Sequence, residues 1–318
     1  MNKVGCAGIL VEDTICPPMD KFLDEGQLLA VDEIVSKPGG CAGNVAIGLV
    51  KQGLQVDINA CVGDDPTGAS LVQSVENQGV NCAQIQRTTD FPTSRTVIIL
   101  IKNEDRRFIH TFGANRAYTV DHIDREWVRS LKVLYVGGLF AMPAVEIGPL
   151  AELLAFARAS GVITIVDVVV PGDFSQGDRL KELLPHIDYF TPNDDESEIM
   201  TGEKTPEKQI QRFLDVGANT VILTCGEQGV YAARGQDLWQ GGIFKTDVID
   251  PSGSGDAFDT GVIKGILDGK NLPDLLHYGA AVASSCVRAV GTTDGVFTAD
   301  ELEAFLQGKK LNIDHRTF

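Results

Sequence analysis

Residues 133–168 read VLYVGGLFAMPAVEIGPLAELLAFARASGVITIVDV. Val133 to Val136 and Val162 to Val168 are apolar runs short enough to be buried strands. Between them, Glu146 to Ser160 has the spacing of an amphipathic helix, closed by Gly161. A strand, a helix and a second strand in so short a stretch ask for parallel pairing through a crossover.

The same alternation continues in both directions. Upstream, Val4 to Ile9 reads as a strand, Gly43 to Gln52 as a helix ending at Gly53, Val56 to Val62 as a strand, and Pro66 to Gln78 as a helix stopped by Gly79. Downstream, Tyr189 to Thr191 and Val221 to Thr224 extend the series. The pattern predicts an α/β fold: a doubly wound, mostly parallel sheet with helices on both faces and right-handed crossovers. Two extended pieces break it. Leu28 to Val35 is one; Arg95 to Ile101 and Arg107 to Thr111, flanking a turn at Asn103-Glu104-Asp105, make the other. With no helices between them, they predict a small β lid drawn from about residues 12–37 and 88–112. No repeat or low-complexity linker divides the chain, so residues 1–318 are expected to form a single domain.

Composition narrows the function classes. Of 318 residues, 43% are hydrophobic and 22% charged, ordinary for a folded globular protein. A formal net charge of −17 argues against nucleic acid as a partner, although a local amide-lined pocket can still hold phosphate. The seven cysteines are scattered and form no CxxC pair, so neither a disulfide framework nor a zinc site is expected. Cys41, beside a glycine pair, is read as packing. No apolar stretch approaches the length of a membrane span, and the chain reads as cytoplasmic with no membrane partner.

The chemistry concentrates in Asp250-Pro251-Ser252-Gly253-Ser254-Gly255-Asp256, just before a helical run. Gly253 and Gly255 let backbone approach a ligand closely. Amides at a helix start are unpaired and lie at the positive end of the macrodipole, which suits phosphate. Asp256 at that end can serve as a helix cap, or it can accept a proton from an attacking hydroxyl. No GxxxxGK[ST] loop is present, and no GxGxxG follows the first strand, which sets aside a dinucleotide-dependent dehydrogenase.

Four further segments stand in order along the chain. Asp13, with Glu12 beside it, is read at the end of the first strand. Pro38-Gly39-Gly40-Cys41-Ala42-Gly43-Asn44 precedes the first helix, and an asparagine amide offers a polyol both donors and acceptors. Asn193 and Glu196 are three apart, a spacing that shares a helix face. Thr224-Cys225-Gly226-Glu227-Gln228-Gly229 is a turn after a strand. Each segment alone has an ordinary structural explanation as a cap, a turn or a solvated loop.

Together the five segments resemble the signatures of the PfkB, or ribokinase-like, carbohydrate kinases over essentially the whole chain. The resemblance implies an ATP-dependent kinase acting on a hydroxyl of a small sugar such as ribose, fructose or 2-keto-3-deoxygluconate. The same fold on a nucleoside or sugar phosphate is the nearest alternative, and a non-catalytic sugar-binding regulator a more distant one. A phosphosugar would need cationic contacts, for which Arg87, Arg95, Arg106 and Arg107 are available in the sequence. By resemblance Asp256 is the base, and Gly253, Ser254 and Gly255 form the anion hole. Asp13, Gly39, Gly40 and Asn44 bind the sugar, with Gly113-Ala114-Asn115 near the same pocket. Asn193, Thr224, Gly226 and Gly229 lie at the nucleotide. Asn193 and Glu196 serve Mg²⁺, largely through water. Asp250 and Ser252, with backbone near Gly291, are expected to hold a monovalent cation, K⁺, as in some relatives. The lid implies a homodimer. The chain departs from the pattern at Val168-Val169-Val170-Pro171-Gly172, where relatives carry an Asn or Arg, and at Ala280, where many carry an Asn near the adenine.

Overall fold

The computed structural model describes residues 3–102, 104, 106–171 and 179–318. The chain opens with β1 (Lys3–Gly8), β2 (Val11–Met19) and β3 (Val35–Gly39), then α1 (Cys41–Lys51), β4 (Gln55–Asn59), β5 (Cys61–Gly63) and α2 (Pro66–Asn77). Three strands follow, β6 (Gln86–Thr88), β7 (Arg95–Ile101) and β8 (Arg107–Thr111). The alternating stretch is α3 (Arg125–Arg129), β9 (Val133–Gly137), α4 (Ile147–Ala159), β10 (Ile163–Val166), α5 (Leu180–Leu183), β11 (Tyr189–Phe190), α6 (Asp194–Thr201), α7 (Pro206–Asp215) and β12 (Thr220–Thr224). The chain closes with β13 (Val230–Arg234), β14 (Asp237–Gly241), α8 (Ser254–Leu267), α9 (Leu272–Cys286), α10 (Ala299–Leu306) and β15 (Ile313–Thr317).

Among the described residues the main sheet has nine strands in the order β15-β14-β13-β12-β11-β10-β9-β1-β4. From β12 to β4 every pairing is parallel; β13, β14 and β15 add an antiparallel edge. The doubly wound fold expected from the alternation is therefore present. Because side chains alternate across a strand, Leu134 and Val136 of β9 join one buried layer while Val133 and Tyr135 join the other. That two-sided burial explains why the strand reads as a continuous apolar run. Helix boundaries follow the local signals: Asp65 caps α2 by accepting the Gly68 amide at 2.7 Å, with Pro66 in the first turn. No helix among the described residues is long and apolar enough to cross a membrane.

A second sheet, β3-β2-β7-β8, stands apart from the first. β2 and β7 pair in parallel, and β7 and β8 form an antiparallel pair. The turn read at Asn103-Glu104-Asp105 has Asn103 and Asp105 outside the described residues, as does Gly172 of the departing Val168–Gly172 stretch. Two expectations change. The extended piece read from Leu28 becomes a strand only at Val35; residues 28–34 pair with no strand, and Leu28 is 89% exposed. Val56 to Val62 is two strands, because the chain leaves the main sheet after Asn59 and β5 pairs with β6 instead.

Candidate active site

Parallel strands order the site. β1, β9, β10, β11 and β12 all end on one edge, and the chain steps from β1 to β4 on one side and to β9 on the other. Sheets of this kind bind ligands outside the carboxyl ends at such a reversal. Gly8 and Gly137 end β1 and β9 side by side, and a Cβ on Gly137 would lie 3.0 Å from the Ala42 amide and from Cys41 Cβ. The N-terminus of α1 thus sits directly over the reversal point.

The Asp250–Asp256 loop faces it. Asp250 is fully buried; Oδ1 accepts the Ser252 amide and Oδ2 the Gly291 amide, both at 2.9 Å. These bonds fix the loop's entry. Gly253 caps α8 at φ +76°, and a Cβ there would lie 2.5 Å from the Thr292 carbonyl oxygen, so only glycine fits. Ser254, Gly255 and Asp256 are the first three helical residues, whose amides lack partners within the helix. A Cβ on Gly255 would meet no atom of the described residues within 4 Å: the loop presents open space to them there. Asp256 is not a cap. Its Oδ2 accepts from Asn44 Nδ2 at 2.7 Å, across 212 residues of sequence. Asn44 Oδ1 in turn accepts from Thr292 Oγ1 at 2.7 Å.

The four sugar-side candidates converge here. Asp13 lies on β2, not at the end of the first strand, and pairs with Lys37 of β3. Its carboxylate fills the space above Gly39. Gly40, at φ +83°, caps α1, and Asn44 follows one turn later, its backbone amide bonded to the Gly40 carbonyl at 2.8 Å. Asn115 is fully buried; its backbone amide donates to Ser94 Oγ at 3.2 Å, and its side-chain amide has no hydrogen-bond partner among the described residues.

The nucleotide-side candidates form a second group. Asn193 and Glu196 make a reciprocal capping box at the start of α6: Asn193 Oδ1 accepts the Glu196 amide at 2.8 Å and Glu196 Oε2 accepts the Asn193 amide at 3.1 Å. Thr224 bridges to Asn193, and its amide donates to the Pro192 carbonyl at 3.2 Å. Gly226 and Gly229 bracket the turn after β12, with the Cys225 amide bonded to the Gly229 carbonyl at 2.8 Å. Through the charge of Glu196 this group reaches Asp256.

Electrostatics single out the centre. Burial pushes Asp256 above the usual carboxylate range, opposed by hydrogen bonds from Asn44 and Cys41 and by the charge of Arg106. Burial raises Asp13 to about 7, with the charges of Asp256, Asp250 and Glu12 adding to it and a Thr96 hydrogen bond opposing. Burial also carries Glu196 to about 7, against the Asn193 and Val170 amides. Asp167 and Asp259 are held well above the carboxylate range by burial first and then by neighbouring carboxylates, Asp256 and Glu196 among them. Acids with shifted pKa values gathered together make this a candidate functional centre.

Sequence reading missed part of this. Asp259 lies one turn along α8 from Asp256 and accepts from Thr191 Oγ1 at 3.1 Å; its place in a helix next to the signature was the available signal. Cys41, read as packing, has its sulfur within 4.8 Å of carboxylate oxygens of both Asp167 and Asp256. Thr292 carried no local signal. A cavity of about 720 Å³ bounded by Lys245, Thr246, Ser284, Arg288 and Phe297 is lined by none of the candidate residues.

Comparison with known proteins bears on the family and the fold. A sequence model of the pfkB family carbohydrate kinases matches residues 1–299. The 2-dehydro-3-deoxygluconokinase of Bacillus subtilis is 28% identical over 281 residues, covering 85% of this chain and 87% of the relative. The ribokinase of Haemophilus influenzae is 27% identical over 295 residues, covering 90% and 92%. The crystal structure of ribokinase from Thermotoga maritima superposes with a TM-score of 0.81 at 24% identity, covering 97% of this chain and all of that one, and so shares the fold. The chain belongs to the pfkB family of carbohydrate kinases: it is a sugar kinase, a phosphotransferase with an alcohol group as acceptor.

Proposed function

We propose that this kinase transfers the γ-phosphoryl group of Mg·ATP to a hydroxyl of a small sugar, with Asp256 as the base. One observation carries the reading: Asp256 stands in the first turn of α8, beside the open backbone at Gly255, and is tied by Asn44 to the group that holds Asp13, Gly39 and Gly40. Acceptor-side and phosphate-side candidates thus meet at one carboxylate. In the proposed step Asp256 takes the proton of the acceptor hydroxyl as that oxygen bonds to the γ-phosphorus. The bond from phosphorus to the bridging oxygen breaks, and ADP leaves with that electron pair. Amides of Gly253, Ser254 and Gly255 would receive the charge on the transferring group.

Asp13, Gly39, Gly40 and Asn44 are proposed to grip the sugar, and Asn193, Thr224, Gly226 and Gly229 to lie along the nucleotide. A divalent cation suits the acids around Asp256. Glu196 spends Oε2 on the Asn193 amide, and its neighbours Asp167, Asp259 and Asp256 repel one another. Mg²⁺ bound through water would relieve that repulsion and would neutralise charge on the phosphates. For a monovalent cation, both Asp250 oxygens already accept amides, while the buried Ser252 Oγ lacks a partner among the described residues. That hydroxyl and nearby carbonyls are the oxygens such an ion would use. Arg95 pairs with Glu12 at 2.6 Å and Arg107 with Glu104 at 2.6 Å, which weakens the sugar-phosphate alternative.

The four-stranded sheet is proposed to act as a lid and, through the exposed Phe108 and Ile109 of β8 and Phe22, Leu28 and Ile34 of the segment joining β2 to β3, to pair with a second copy. Seven free cysteines fit a cytoplasmic setting. The test is ADP release from Mg·ATP with ribose, fructose, 2-keto-3-deoxygluconate, adenosine, inosine and fructose 6-phosphate, comparing wild type with Asp256→Asn. Turnover with a sugar, reduced about 10²-fold or more in the variant while sugar binding survives, is expected. Near wild-type turnover by Asp256→Asn would overturn the assignment of the base.

A further inference from the structure

The 290–294 segment touches several parts of the centre while contributing no side chain to the signatures. Gly291 donates its amide to Asp250, and the Thr292 carbonyl packs against Gly253. Cys286 donates its thiol to that same carbonyl at 3.2 Å. Lys51 Nζ donates to the carbonyls of Thr293 and Asp294 at 2.6 and 3.2 Å. Lys37 of β3 pairs with Asp294 at 2.7 Å. The backbone of this segment is therefore held from several sides, and the Thr292 side chain, itself buried, is left to act on its neighbour.

That neighbour is Asn44. A primary amide can present either end to a carboxylate, and only the NH₂ end is attractive. The Thr292 hydroxyl has one proton to give. It lies 2.7 Å from Asn44 Oδ1 and 3.4 Å from the Pro38 carbonyl, so the proton goes to Asn44. With its oxygen engaged, Asn44 turns Nδ2 toward Asp256 Oδ2 at 2.7 Å. We infer that Thr292 is a positioning residue for phosphoryl transfer: its hydroxyl orients the Asn44 amide, which in turn fixes the Asp256 carboxylate for proton abstraction. This rests on the reading of Asp256 as the base.

Thr292→Val keeps the shape and removes only the hydroxyl; Thr292→Ser keeps the hydroxyl and removes the methyl. With Mg·ATP and the best acceptor, Thr292→Val is expected to lower kcat roughly three- to tenfold, the range for one lost neutral hydrogen bond, with the KM for ATP unchanged. Thr292→Ser is expected to recover turnover to within about threefold of wild type by restoring that bond. In an Asn44→Ala background, Thr292→Val should cost nothing further, because the hydroxyl acts through Asn44. Three results overturn the inference while Asp256→Asn remains inactive: wild-type kcat in Thr292→Val, equal impairment in Thr292→Ser, or an undiminished loss in the Asn44→Ala background. Activity in Asp256→Asn itself would remove the reading beneath it.

Discussion

The carboxylate of Asp13 occupies the space that any side chain on Gly39 would need. A Cβ built on Gly39 would overlap Oδ2 and lie 2.8 Å from Oδ1. Asp13 stands in register with Thr96 on the neighbouring strand. Gly39→Ala is therefore expected to displace Asp13 and raise the sugar KM by roughly 10- to 100-fold, the cost of losing a charge-assisted hydrogen bond. The KM for ATP should stay put. Steady-state kinetics with each substrate varied checks this, and an unchanged sugar KM would remove Asp13 from the acceptor site.

Asp13 also ties stability to pH. Its folded-state pKa of about 7 lies above the ordinary value of 3.8, chiefly through burial. Between those values the folded chain holds a proton that the unfolded chain has released. The stabilisation is complete below about pH 4 and is lost as pH rises through 7. Asp13→Asn removes the buried charge. Relative to wild type it should gain on the order of 1–3 kcal/mol between pH 5 and pH 8. Urea unfolding at both pH values measures it; equal differences at the two would contradict a buried, reluctant acid.

Gly253 and Gly255 should respond differently to the same substitution. Gly253→Ala places a methyl against the Thr292 carbonyl at φ +76°, so a loss of about 1–3 kcal/mol of stability is expected. Gly255→Ala meets no atom of the described residues and should leave the unfolding midpoint near wild type. Its methyl enters the space kept for the phosphoryl group, and turnover should fall about 10²-fold by disturbing the amide donors. Thermal melts and kcat for both variants decide the matter. Full activity in Gly255→Ala would rule out the anion hole.

Replacing K⁺ by tetramethylammonium at constant ionic strength should lower turnover if Ser252 Oγ, which has no partner among the described residues, helps to hold a monovalent ion beside Asp250. An equal rate in both salts would exclude an ion there. The exchange of salts probes the loop without altering a residue.

The fold was legible where burial imposes a strong period. The β9–α4–β10 unit reads directly because both strands are buried on two faces and the helix ends at Gly161, at φ +80°. β2 was not, because Val11–Met19 contains Pro17 and Pro18 and alternates only over its first half. β13, β14 and β15 also went unread; β15 is the outermost strand and mostly exposed, so its residues carry no apolar period. In the site, the Gly253–Asp256 loop was legible because its chemistry is contiguous. The spacing of Asn193 and Glu196 was read as a shared helix face, yet the same spacing makes the capping box seen at α6. The bonds joining Thr292 to Asn44 and Asn44 to Asp256 span 248 and 212 residues. Tertiary folding alone brings such groups together, and no local pattern announces them.

β2 leaves β1 after only Ile9 and Leu10, and carries Asp13 into the four-stranded sheet, while Asp256 stays on α8 against the main sheet. The acid that would hold the acceptor and the acid that would deprotonate it belong to different bodies. Any drift of one sheet from the other separates them. With the four-stranded sheet acting as the proposed lid, the two acids would meet only when it closes over an acceptor, and a water molecule beside the nucleotide would lack the grip of Asp13.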